Sequence, residues 1–274
     1  MPDVGPQLSF DDLKMKSKEM RKDILEMVSK TKSSHIGSCY SVVDILNVLY
    51  NDTFKNFDCA YPDRDIFILS KGHAAVALYT AMASRGFIPR SVLSTYAQNE
   101  STLAGHIAKN CLPGIEATAG SLGHGLPMLA GYAYANKNNK RKFYCLVGDG
   151  ECNEGSVWEA ADFCANFQLA HVTVLIDCNK LQGLGFTKDV LLQNLPEKWS
   201  SCGWEIKEID GHNLADIKTV LDYSQSERNI TKPLAIIAHT VKGKGVSWME
   251  NSLDWHYKSP NEEQYKIALA EIAL

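Results

Sequence analysis

Short apolar runs that alternate with helix-like segments constrain the fold of this chain more than any other feature. The runs are IFILS at 66–70, FYCLV at 143–147, HVTVLID at 171–177 and LAIIAHT at 234–240. Apolar strands that alternate with helices indicate a parallel sheet with both faces covered. We therefore expect an α/β fold, a doubly wound and mostly parallel sheet flanked by helices, in a single domain over residues 1–274.

The segment before the first apolar run predicts two helices. One is amphipathic and spans 9–30, because its apolar residues recur near helical spacing. A second is expected over 41–50, with Ser41 as the capping residue and Asp44 completing a capping box. The stretches 98–125 and 242–274 look less regular.

Composition and charge exclude several classes of function. The chain has 28 Lys and Arg against 32 Asp and Glu, a net charge of -4, so neither nucleic acid nor an anionic membrane is an expected partner. The N-terminal sequence lacks the apolar core of a signal peptide, and no apolar stretch approaches the roughly 20 residues that span a bilayer. A cytoplasmic location is the default expectation. None of the eight cysteines forms a Cys-x-x-Cys pair, which favours reduced structural thiols over a zinc site.

Two oxygen-bearing side chains follow neighbouring strands of the predicted sheet. Asp149 comes directly after one run and Asn179 after the next, 30 residues further on. A right-handed crossover places both at the same edge of the sheet. A carboxylate and an amide oxygen suit a hard cation such as Mg²⁺, and a helix starting near Glu154 would direct its N-terminal N–H groups there. A cation site and a helix N-terminus at the same place together predict a site for a diphosphate.

The segment GDGECNEGSVWEAADFCANFQLAHVTVLIDCNKLQ resembles the motif that binds thiamine diphosphate. More specifically, it is similar to the N-terminal, diphosphate-binding domain of transketolases. Collinear matches run from about residue 9 to about residue 260 and include SHIGS, SKGHAAVALY and AGHIAKNCLPGIEATAGSLGHG. The resemblance implies thiamine diphosphate bound through Mg²⁺, or through Ca²⁺ or Mn²⁺ in its place.

The resemblance also assigns site residues. The implied metal ligands are Asp149, Asn179 and the backbone carbonyl of Leu181. The implied cofactor-binding residues are Gly120, Leu122, Gly123, Gly148, Asp149, Gly150, Glu154, Asn179 and Lys242. The implied catalytic residues, which would line the cofactor and substrate channel, are His35, His73, His106 and His256. Ser34 and His124 depart from the pattern, which more often has glycine and glutamine at these positions.

Length marks the larger departure from the resemblance. Full transketolases continue into a pyrimidine-binding domain, which supplies the glutamate that activates the cofactor, and then into a C-terminal domain. The resemblance therefore implies a partner subunit carrying those domains, in an α2β2 assembly. The expected reaction transfers a two-carbon ketol unit from a ketose or ketose phosphate to an aldose or aldose phosphate. The alternatives are a subunit of a deoxyxylulose-phosphate synthase-like or 2-oxoacid dehydrogenase-like enzyme, and a non-catalytic scaffold subunit.

Overall fold

The fold is built on a sheet of five parallel strands. The computed structural model describes residues 8–54, 64–139, 141–183, 185–191, 194–226 and 231–274. The sheet strands are β1 (Ile66–Leu69), β2 (Phe143–Gly148), β3 (Val172–Cys178), β6 (Glu205–Asp210) and β7 (Leu234–His239), and their order across the sheet is β1-β2-β3-β7-β6. A separate antiparallel hairpin joins β4 (Leu181–Gln182) to β5 (Gly185–Phe186).

The described helices lie before, between and after the strands. They are α1 (Phe10–Thr31), α2 (Ile36–Tyr40), α3 (Val43–Val48), α4 (Ala75–Arg85), α5 (Gly125–Ala135), α6 (Gly155–Asn166), α7 (Thr187–Val190), α8 (Leu195–Ser201), α9 (Leu214–Gln225) and α10 (Glu262–Ala273). Short 3-10 turns at Gly72–Ala74, Gly150–Asn153 and Leu253–His256 link strands or loops to helices near the carboxyl edge of the sheet.

Two apolar cores cover the two faces of the sheet. One is built from α1, α3, α4 and α9, with Tyr144 and Leu175 reaching it from the strands. The other is built from α5, α6 and α8, with Cys145 and Val174 on the opposite side of the same strands. Strand residues therefore alternate between two buried environments, which is why the sequence shows continuous apolar runs. The expectation of a doubly wound, mostly parallel sheet is confirmed.

The helices before β1 agree only in part with the sequence prediction. Helix α1 begins as expected, because Ser9 and Asp12 form a reciprocal capping box. The second helix predicted over 41–50 is present as α3, which continues into a π-helical turn over Leu49–Thr53, but the predicted Ser41 cap with its capping box is wrong. Helix α2 starts earlier, at Ile36, and α3 follows after Val42, without a side-chain cap. The Ser41 hydroxyl instead donates to Asp177, which lies far away in sequence.

Within the described ranges, no helix is long and apolar enough to cross a membrane. Residues 1–7, which are part of the N-terminal sequence that predicts no signal peptide, lie outside those ranges.

Candidate active site

Asp149 and Asn179 lie side by side at the carboxyl edge of the sheet. Strands β2 and β3 are neighbours, with Gly148 in register with Asp177, so the residue after each strand emerges at the same edge. The Asp149 N–H still donates to the Asp177 carbonyl, at 3.1 Å. Both side chains line one cavity of about 380 Å³. The structure thus brings together the pair that the sequence spacing singled out.

Backbone donors hold the Asp149 carboxylate in place. Oδ1 accepts the Gly150 N–H at 2.8 Å, and Oδ2 accepts the Lys180 N–H at 2.6 Å. The residue is only 8% exposed. Burial, and then the nearby Asp177 carboxylate, raise the pKa of Asp149 to about 7. Burial is thus the main reason why this carboxyl holds its proton more strongly than an exposed aspartate does.

The amide of Asn179 is also oriented by hydrogen bonds. Its Nδ2 donates to Asp177 at 2.8 Å, and its Oδ1 accepts the Leu181 N–H at 3.0 Å. Leu181 is buried and opens the β4–β5 hairpin. Each of these side-chain oxygens has lone pairs beyond the bonds it already accepts, so both fit a hard cation.

The backbone beside the pair packs closely against the β4–β5 hairpin. A Cβ on Gly150 would lie 2.6 Å from the Gln182 Cβ, so this position accommodates only glycine without movement. In the described part of the chain, no group of three or more His, Cys, Asp or Glu side chains could hold a metal ion. A cation between Asp149 and Asn179 would need further oxygen ligands from the backbone and from the diphosphate itself.

The sequence did not predict the buried ion pair that lies next to Asp149 and Asn179. The Lys71 ammonium contacts the Asp177 carboxylate, and both residues are almost completely buried. Asp177 also accepts hydrogen bonds from the Ser41 and Thr240 hydroxyls. Although burial alone would raise it, the Lys71 charge holds the pKa of Asp177 below its usual value. The carboxylate thereby links three loops to the amide of Asn179.

A second buried acid, Glu151, organises the loop that precedes α5. Its carboxylate accepts the N–H groups of Gly123 at 2.8 Å and Gly148 at 3.1 Å, and the Ser70 hydroxyl. A Cβ on Gly72 would lie 2.0 Å from the Ala119 carbonyl oxygen, so the two loops touch backbone to backbone. The expected loop residues Gly120, Leu122 and Gly123 are thereby held beside the end of β1.

The remaining expected residues near this loop lie as follows. A Cβ on Gly123, whose φ is 82°, would lie 2.7 Å from the Glu154 Cβ, and Glu154 is exposed at the start of α6. A Cβ on Gly120 would lie 4.0 Å from the His106 ring. His124 is exposed, and its ring nitrogen contacts the Leu122 carbonyl at 3.0 Å.

The four histidines of the sequence prediction form one cluster. The His35 ring centroid lies 5.3 Å from that of His73, 5.7 Å from His106 and 5.0 Å from His256. His35 has a left-handed backbone, with φ of 74°, and its N–H donates to the His256 carbonyl at 3.0 Å. Residues from opposite ends of the chain thus converge because two backbone segments are hydrogen-bonded to each other.

Burial and nearby charges lower the pKa of three of these imidazoles, those of His35, His73 and His256, so these three are neutral at pH 7. Burial, His106 and Lys242 lower the pKa of His35 to about 4. Burial, Lys242 and His35 lower the pKa of His256 to about 3. Burial and Lys71 hold the pKa of His73 well below its usual value. Lys242 is 1% exposed, and burial and Lys71 lower its own pKa to about 8.

Comparison with known proteins identifies the family of this arrangement. Residues 14–269 match the family model described as transketolase, thiamine diphosphate binding domain. The chain belongs to this transketolase family. Its sequence is 42% identical over 271 residues to one subunit of the apulose-4-phosphate transketolase of Actinobacillus succinogenes, with 97% of each chain covered. It is 36% identical to the 6-deoxy-6-sulfo-D-fructose transketolase subunit SqwG of a Clostridium species, covering 95% of this chain and 96% of the relative.

Transketolases of solved structure share the fold of this family member over a longer chain. The transketolase of Campylobacter jejuni superposes with a TM-score of 0.89 at 28% identity, and the match covers 97% of this chain but 43% of that one. This family member therefore corresponds to less than half of that transketolase, whereas it matches the two subunit relatives over almost their whole length.

Proposed function

We propose that this chain is the thiamine diphosphate-binding subunit of a two-subunit transketolase that moves a two-carbon ketol unit between sugars or sugar phosphates. The observation that carries the proposal is the convergence of Asp149, Asn179 and the cluster of four histidines at one edge of the sheet. A scaffold subunit would have no need to keep these ligands and histidines together.

The metal and diphosphate end of the proposed site lies around β2 and β3. Asp149 and Asn179, with the Leu181 carbonyl, would hold Mg²⁺, and Ca²⁺ or Mn²⁺ could replace it because all three prefer oxygen ligands. Gly148, where an added Cβ would meet no atom closer than 3.9 Å, would leave room for the diphosphate, and Gly120, Leu122, Gly123, Gly150 and Glu154 would border it. The ammonium of Lys242 would offset the phosphate charge.

The histidines supply the chemistry around the sugar. Bound thiamine diphosphate provides the nucleophilic carbon and the electron sink for cleaving the bond next to the ketose carbonyl. Nδ1 of His256 accepts a hydrogen bond from the Lys242 ammonium. The imidazole therefore carries its proton on Nε2 and can donate that proton to a hydroxyl or an alkoxide. His35, His73 and His106 surround the same space, where a neutral imidazole can give or take a proton as charge develops.

A partner subunit would complete the site. The proposed partner carries the pyrimidine-binding and C-terminal domains, contributes the glutamate that activates the cofactor, and assembles with this chain as α2β2. Two observations support it. Relatives of about the same length are named as transketolase subunits, and in a longer transketolase the matching region makes up only 43% of the chain.

Reconstitution tests this proposal. The purified chain is mixed with a candidate partner subunit, thiamine diphosphate and Mg²⁺. The mixture is then offered D-xylulose 5-phosphate, D-fructose 6-phosphate, apulose 4-phosphate or 6-deoxy-6-sulfo-D-fructose with an aldose acceptor. We expect ketol transfer only when both chains are present, from at least one of these donors. Turnover by this chain alone, or turnover of pyruvate instead of a ketose, would contradict the proposal.

A variant separates catalytic from structural failure in the same assay. His106→Gln changes an exposed member of the cluster, so we expect the complex to assemble and bind cofactor while its kcat falls by roughly 100-fold or more, the usual range for a lost acid or base. Exposed His239, which pairs with Glu208 away from the cluster, provides the control as His239→Gln.

A further inference from the structure

A tight turn carries Lys242 into the histidine cluster. The turn spans 241–244 and is closed by the Lys244 N–H donating to the Val241 carbonyl at 3.2 Å. Gly243 adopts a φ of 84°, and a Cβ there would lie 2.3 Å from the Met249 carbonyl oxygen. The Lys242 ammonium reaches His256 at 2.9 Å. Its position therefore depends on how the two ends of the turn are held.

His212 holds the first end of the turn. Its Nε2 accepts the Val241 N–H at 2.8 Å, and its Nδ1 lies 2.8 Å from the Asp44 carboxylate. A backbone N–H can only donate, so Nε2 carries no proton and Nδ1 donates to Asp44. His212 is thus a neutral imidazole in one tautomer, used as an acceptor for the residue before Lys242.

Arg21 holds the other end of the turn and shares the same acid. Its Nε donates to the Lys244 carbonyl at 3.0 Å, while Nη1 and Nη2 donate to Asp44 at 3.0 and 2.7 Å. Burial alone would raise the pKa of Asp44, but the Arg21 guanidinium and the His212 hydrogen bond hold it well below its usual value. One buried carboxylate on α3 therefore connects α1, the loop after β6 and both ends of the turn.

We propose that Arg21 and His212, joined through Asp44, are positioning residues for Lys242. They hold the two ends of the turn by hydrogen bonds to its backbone, so that the Lys242 ammonium contacts His256 and, if the proposed function holds, the diphosphate next to it. Their effect on the site is transmitted through the backbone of Val241 and Lys244, to which their side chains are hydrogen-bonded.

The pKa of Lys242, measured in the chain without cofactor, shows whether the ammonium is held in its buried position. Burial and Lys71 lower the pKa of this lysine to about 8, while Asp177 and Asp149 act in the opposite direction. A lysine side chain in solvent has a pKa of about 10.4. The chain is labelled with ¹³C-lysine, and the Lys242 signal is assigned by its loss in Lys242→Arg. The pH midpoint of that signal is then measured by NMR.

Two substitutions at His212 separate the hydrogen bond from simple packing. His212→Phe fills the same space without a nitrogen, and we expect the Lys242 midpoint to move from about 8 toward that of a solvated lysine. His212→Gln keeps an acceptor within reach of the Val241 N–H, and we expect the midpoint to stay near the wild-type value. His239→Phe, at an exposed histidine, is the control and should leave Lys242 unchanged. The affinity for Mg²⁺–thiamine diphosphate, measured in the presence of the partner, should follow the same order, with a loss of roughly tenfold for His212→Phe.

A folded His212→Phe variant with an unchanged Lys242 midpoint overturns the proposal, and so does a Gln variant that shifts as far as Phe. If His212→Phe does not fold, Arg21→Lys takes its place, since it keeps a cation beside Asp44 but loses the bond to Lys244. A folded Arg21→Lys variant in which the pH midpoint of the Lys242 signal is unchanged would also overturn the proposal. Because the lysine signal needs no cofactor, a chain that binds no thiamine diphosphate but shows these shifts refutes the proposed function and leaves the positioning role intact.

Discussion

The ammonium nitrogen of Lys242 lies 2.9 Å from Nδ1 of His256. A lysine ammonium has no acceptor, so the imidazole must accept, and its remaining proton sits on Nε2. The contact joins the cationic end of the candidate site to the histidine cluster. It also makes protonation of His256 costly, because a second positive charge would be created beside the first.

Acid should therefore destabilise the cluster. The folded pKa values of His35 and His256, about 4 and about 3, lie below the ordinary 6.5. Between these values the unfolded chain binds more protons than the folded one, so the free energy of unfolding falls as the pH drops from 6.5 through 4. In urea titrations across this range, we expect the double variant His35→Gln, His256→Gln to lose stability less steeply than the wild type. A double variant that kept the wild-type slope would contradict the depressed pKa values.

A substitution of one partner in the buried ion pair of Lys71 and Asp177 should strongly lower the free energy of unfolding. Lys71→Met leaves a carboxylate uncompensated in the interior, which costs about 3–5 kcal/mol of unfolding free energy. Adding Asp177→Asn removes the unpaired charge and should recover part of this loss. Lys258→Met, which breaks an exposed pair with Asp254, should cost no more than about 1 kcal/mol. Chemical denaturation compares the three variants, and a Lys71 variant as stable as the Lys258 variant would contradict this account.

Replacing glycine with alanine should have opposite effects on stability at Gly72, where two loops are in backbone contact, and at Gly131, which has open space beside it. Gly72→Ala drives a Cβ into the Ala119 carbonyl and should cost about 1–3 kcal/mol or more. Gly131→Ala, in the interior of α5 with nothing within 4 Å of the added carbon, should gain up to about 1 kcal/mol. Thermal unfolding measures both. Similar melting temperatures for the two variants would mean that the loops do not touch as described.

The sheet and the Asp149–Asn179 pair were predictable because both follow from periodicity. Buried parallel strands read as apolar runs, and the carboxyl ends of neighbouring strands meet at one edge. The histidine cluster was not predictable from spacing. Its members come from four separate loops, and the resemblance to a family, not the pattern of residues, suggested that they meet.

The errors and omissions have a common cause in long-range contacts. Ser41 carries a strong local capping signal, yet its hydroxyl bonds to Asp177, 136 residues away, and α3 begins at Val43 without a side-chain cap. Lys71, Glu151 and His212 escaped notice because each acts on a partner distant in sequence, at Asp177, Gly123 and Asp44. No local rule assigns partners across such separations, so buried polar networks are the part of this fold that the structure alone reveals.

The central claim is that Asp149 and Asn179 hold a metal-bound diphosphate in a site completed by a partner subunit. Isothermal titration of thiamine diphosphate into the chain tests it most directly, with Mg²⁺ or with chelator, and without and with the partner. We predict Mg²⁺-dependent binding that tightens when the partner is present, and an affinity lower by on the order of 100-fold in Asp149→Asn, at the top of the range for metal-site partners. The exposed control Asp222→Asn should bind like the wild type. Undiminished binding by Asp149→Asn, or no binding by the folded chain with or without its partner, would contradict the claim.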